Sequence, residues 1–75
     1  MEITRIEVYG LPDDDAAARL EKMLTGRTGV PRASIDPTMQ LAEVTYDPEH
    51  VSAEDIVRWI RAAGYEADFA GRRAG

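Results

Sequence analysis

Gly10-Leu11-Pro12-Asp13-Asp14-Asp15-Ala16 is the stretch on which the reading of this chain turns, because it joins two segments of different period. Before it, from Ile3 to Tyr9, Ile6 and Val8 fall on one side and Arg5 and Glu7 on the other. That period of two belongs to a half-buried strand. After it, Ala17, Leu20 and Leu24 recur at helical spacing while Arg19, Glu21 and Lys22 face away, which predicts a helix from about Asp14 to Leu24. Gly10 and Pro12 end the strand. Asp13 can cap the helix, with Asp14 and Asp15 beside its positive terminus.

Outward from this junction the same signals repeat. Gly26 and Gly29 close the first helix, and Val30–Asp36 reads as a second strand with Ala33 and Ile35 on one face. Pro31 near its start suits an edge, since proline cannot donate to a ladder. A turn at Pro37-Thr38-Met39-Gln40 leads to a third strand, Leu41–Tyr46, with Ala42, Val44 and Tyr46 inward. Ser52 and Asp55 form a capping-box pattern for a second helix, whose expected stripe is Ile56, Ile60 and Ala63 and whose stop is Gly64. Tyr65–Phe69 is the last strand. The order is β-α-β-β-α-β, an α+β ferredoxin-like sandwich: a four-stranded antiparallel sheet with two helices on one face. Residues 1–69 form the domain, and 70–75 have the composition of a flexible, frayed end.

Seventy-five residues allow one core, with no cysteine to staple it. The net charge of −5 argues against nucleic acid, whose phosphates need clustered Lys and Arg. No apolar run approaches a membrane span, and Met1-Glu2-Ile3-Thr4-Arg5 has no signal-peptide character, so the expected address is cytoplasmic.

Gly10, Gly29-Val30, Val44-Thr45-Tyr46-Asp47-Pro48, Val51-Ser52-Ala53-Glu54-Asp55-Ile56 and Ala62-Ala63-Gly64-Tyr65-Glu66 stand in an order that carries a family likeness. From Arg5 to about Ala67 the chain resembles the heavy-metal-associated domains of copper chaperones and P-type metal ATPases. That family has Gly-Met-x-Cys-x-x-Cys at the first loop. Here Leu11 stands for the Met, Asp13 for the first Cys and Ala16 for the second. The resemblance implies a place in metal handling, where two thiolates hold Cu(I) for transfer. Soft cations select sulfur, whereas carboxylate oxygen suits hard divalent ions. Cu(I) binding is therefore not expected, and Met1, Met23 and Met39 are too scattered to restore it.

Asp13, Asp14 and Asp15 have two readings. They form a cap with its dipole partners, or they are metal ligands for a hard divalent cation, with Asp36 approaching from the hairpin that the fold puts at the same end. Such ions want six or more oxygens in a shaped cage, and consecutive side chains on a helix diverge. His50 is expected in an exposed loop at the opposite end. With no nucleophile beside it, and no Gly-rich phosphate loop, enzyme activity is not expected. In the family a Tyr at the position of Tyr65 flanks the metal loop, whereas here it can pack on Leu11. Trp59 is expected at the core edge, over Leu11 or the sheet, or as an anchor for a partner. Arg19, Lys22, Arg58, Trp59, Arg61 and Tyr65 make up the candidate partner surface. The resemblance implies another protein domain as partner, for example one in a metal-transport ATPase. The overall expectation is an interaction or regulatory module of metal handling that has lost its Cys pair. The alternatives are a weak divalent-metal binder and a small-ligand or subunit-contact domain. A monomer is expected, or a weak homodimer through an open strand edge. Arg72-Arg73 has no reading beyond solubility.

Overall fold

The computed structural model describes residues 1–70. Six elements follow in the expected order: β1 (Glu2–Tyr9), α1 (Asp14–Thr25), β2 (Arg32–Asp36), β3 (Leu41–Tyr46), α2 (Ala53–Ala62) and β4 (Glu66–Phe69). The strands form one antiparallel sheet in the order β2-β3-β1-β4. No helix is long and apolar enough to cross a membrane among the described residues.

Alternation along each strand decides which side of the sheet is buried. Ile6 and Val8 of β1, Ala42, Val44 and Tyr46 of β3, Ile35 of β2 and Ala67 of β4 enter one core. Leu20 and Leu24 of α1 and Ile56, Val57 and Ile60 of α2 meet them there. Both helices therefore cover the same face, and Ile3, Arg5, Glu43 and Asp68 lie on the open one. Cross-strand neighbours Arg5 and Glu43 form an exposed ion pair at 3.0 Å, which contributes little in water.

Local chemistry sets the ends of the elements. Ser52 and Asp55 make the full capping box of α2: the Ser52 hydroxyl accepts from the Asp55 N–H and the Asp55 carboxylate accepts from the Ser52 N–H, both at 3.1 Å. At the other end Gly64 has φ +104°, the Tyr65 N–H reaches the Ile60 carbonyl and the Gly64 N–H the Arg61 carbonyl. This is the left-handed helix stop expected at that glycine.

Three details differ from expectation. Ala63 is exposed, and Val57 replaces it in the buried stripe. The helix ends at Ala62, so position 63 overhangs the core, and the stripe is centred on residues 56, 57 and 60. β2 begins at Arg32, two residues later than expected, although Val30 is buried just before it. Ala70, assigned to a tail by composition, extends the sheet pairing through its N–H to the Arg5 carbonyl at 3.0 Å. The rest of the expected tail, residues 71–75, lies outside the described residues.

Candidate functional site at the β1–α1 loop

β1 leaves the sheet at Tyr9 and turns at Gly10, whose φ of +94° a side chain rarely adopts. Leu11 is half-buried against the core, and Pro12 is exposed. Asp13 is the N-cap of α1. Its backbone is extended, and its Oδ1 accepts the Ala16 N–H at 2.9 Å. Asp14 and Asp15 follow in the first turn, both exposed, where the unpaired N–H groups of the helix favour negative charge. Ala16 is 1% exposed.

Positions 13 and 16 are thus bonded to each other. The side chain at 13 closes the helix on the backbone of 16, and the side chain at 16 is a buried methyl without a donor atom. Asp36, expected to approach this loop, accepts instead from the Thr38 and Met39 N–H groups of its own hairpin, at 2.9 and 3.2 Å. Among the described residues no three His, Asp or Glu side chains form a group able to hold a metal ion.

Tyr65 flanks the loop: its ring carbon Cδ1 lies 4.0 Å from where a β-carbon on Gly10 would stand. It is half-buried against the core, as is Leu11. Arg19 and Lys22 are exposed on α1 one and two turns beyond the aspartates. The remaining candidates for a partner surface are more committed than their sequence positions suggest. Arg58 pairs with Asp55 at 3.0 Å. Arg61 donates from Nε to the Ala67 carbonyl at 2.9 Å. Trp59 is half-buried against the core and carries the Arg27 guanidinium 4.3 Å above its ring. His50 is exposed in the loop before α2, its Nδ1 3.0 Å from Asp47.

Besides the Arg61 bond, sequence periodicity missed two contacts. Glu21, read as facing solvent, is half-buried and accepts the Ile35 N–H of β2 at 2.7 Å. Arg27 reaches Trp59 across the ends of two helices. Both join residues far apart in sequence, and nothing local signals either one.

The architecture has known counterparts. The model of the heavy-metal-associated domain matches residues 5–66, nearly the whole described chain. This chain belongs to the heavy-metal-associated domain family. A copper-exporting P-type ATPase of Staphylococcus aureus (strain JH9) is 31% identical over 67 residues. That alignment takes in 89% of this chain and 8% of the ATPase, so the chain spans a small fraction of that relative's length. Among solved structures, the copper binding domain of the P-type ATPase HMA7 superposes with a TM-score of 0.89 at 31% identity, covering 95% of this chain and 96% of that one. The N-terminal domain of a potential copper-translocating P-type ATPase from Bacillus subtilis gives a TM-score of 0.85 at 24% identity, over 99% and 92% of the two chains, and shares the fold. Within this heavy-metal-associated domain there is no cysteine at any position.

Proposed function

We propose that this domain serves metal handling as a protein-contact or regulatory module and no longer carries a soft metal itself. The observation that carries the reading is the 2.9 Å bond from the Ala16 N–H to Asp13 Oδ1. Where the family likeness implies a pair of thiolates, this chain has a carboxylate spent on the helix terminus and a methyl group. Cu(I) is soft and selects sulfur, so neither position fits it. The scaffold is otherwise kept, with a TM-score of 0.89 to a copper binding domain of a P-type ATPase. Retention of the fold without its donors supports a role exercised through surface. The partner best matched to that role is another metal-handling domain, for instance one from a transport ATPase. It would meet the exposed Arg19 and Lys22 beside the acidic first turn of α1.

Anaerobic titration with Cu(I) against a competing chelator tests this. The native chain is expected to withhold no copper. The Asp13→Cys/Ala16→Cys variant is expected to withhold one equivalent, because the loop and fold are otherwise intact. One equivalent withheld by the native chain would overturn the proposal. Titration with Mg²⁺, Mn²⁺, Zn²⁺ and Co²⁺ completes the test. No heat is expected, and binding localised to residues 11–16 would replace this reading with a carboxylate site.

A further inference from the structure

Open sheets invite strand addition, because an edge strand presents N–H and C=O groups without partners. This sheet has two such edges, β2 and β4. On β2 the residues whose backbone groups point away from β3 share one parity: Pro31 just before the strand, then Ala33 and Ile35. Pro31 has no N–H to offer. The Ile35 N–H is taken by the Glu21 carboxylate, which reaches down from α1 to 2.7 Å. On β4 the equivalent positions are Ala67 and Phe69. The Ala67 carbonyl is taken by Arg61 Nε from α2 at 2.9 Å. The Phe69 N–H is taken by the Asp68 carboxylate at 2.8 Å. Each edge thus has a helix side chain laid across it, of opposite charge on the two sides. An acidic group meets the donor on β2 and a basic group meets the acceptor on β4.

We propose that Glu21, Arg61 and Asp68 close both sheet edges to strand addition, so that this domain stays apart from second copies of itself and meets partners through its faces. An incoming strand would have to displace a charge-assisted hydrogen bond before forming its own, at either edge. The proposal does not depend on whether the loop at Asp13 binds metal.

Light scattering across a wide concentration range, with amide exchange of Ile35, tests it. The native chain is expected to remain monomeric. Glu21→Ala is expected to speed Ile35 exchange by about ten- to a hundredfold, the factor a net hydrogen bond to a charged group represents. Together with Arg61→Ala and Asp68→Ala it is expected to give concentration-dependent association. Glu21→Gln, whose amide oxygen still accepts, is expected to behave as the native chain. A loss of general stability would lower the melting temperature of the variants without making it depend on concentration. A folded triple variant that stays monomeric overturns the proposal. So does a native chain that pairs through an edge, or Glu21→Gln speeding Ile35 exchange as much as Glu21→Ala.

Discussion

Replacing Asp13 by Ala separates a structural cap from a ligand, and its magnitude can be worked from the geometry. The substitution removes the acceptor held 2.9 Å from the Ala16 N–H. Losing such a cap costs about 0.5–2 kcal/mol. The upper half of that range applies here, because residue 16 is 1% exposed. Loss of the charge beside the helix terminus adds about 0.3–1 kcal/mol. A total near 1.5–3 kcal/mol is expected, which at about 6 °C per kcal/mol for this chain length lowers Tm by roughly 9–18 °C. Asp13→Asn keeps the acceptor and loses only the charge, so it should cost about 0.3–1 kcal/mol. Asp13→Cys should resemble Ala, which means that restoring a thiol at this position destabilises the metal-free domain. Urea and thermal denaturation measure all three, with an unchanged m-value as the check that the unfolded state is unaltered. The reasoning fails if Asp13→Ala costs less than about 0.3 kcal/mol, well below the smallest cap effect. It fails equally if Asn is as damaging as Ala.

Gly29 and Gly64 both have left-handed backbones, at φ +94° and +104°, yet should respond differently to Ala. A β-carbon at Gly29 would lie 2.7 Å from Val51 Cγ2 and 3.0 Å from His50 Cβ, whereas at Gly64 nothing stands within 4 Å. Gly64→Ala should cost only the backbone strain, about 1–2 kcal/mol, and Gly29→Ala about 1–3 kcal/mol more from overpacking. Equal losses in urea melts would contradict the packing around Val51. The acid limb of stability gives the third prediction. The Ser52 backbone N–H, and then the Ser52 hydroxyl, hold the Asp55 carboxyl below its ordinary range. For Asp47 the Glu49 backbone N–H does so first and the His50 side chain second. A carboxylate with a depressed folded pKa contributes stability above its unfolded value of about 4, and loses it as pH falls through the folded value. The native chain should therefore lose urea resistance below about pH 4, and Asp47→Asn/Asp55→Asn should show a flatter acid limb. Identical limbs for the two proteins would show that these carboxylates gain nothing on folding.

What could be read from sequence was whatever depends on near neighbours. The alternation of Ile6 and Val8, the helical spacing of Leu20 and Leu24, the Ser52–Asp55 box and the stop at Gly64 all act within a few residues. They suffice for the element order, and through the fixed connections of a split β-α-β unit for the sheet as well. The site was legible in the same way: Asp13 was expected as a cap and is one, because capping is a local event. The end of the α2 stripe was misplaced because the periodic pattern continues past the point where the helix stops at Ala62, leaving Ala63 exposed while Val57 is buried. Only the tertiary structure brought Glu21 to Ile35, Arg61 to Ala67 and Arg27 to Trp59. Long charged side chains can turn toward water or toward any polar group within reach. Their own helices do not decide between the two, and the choice is made when the sheet edges arrive beneath them.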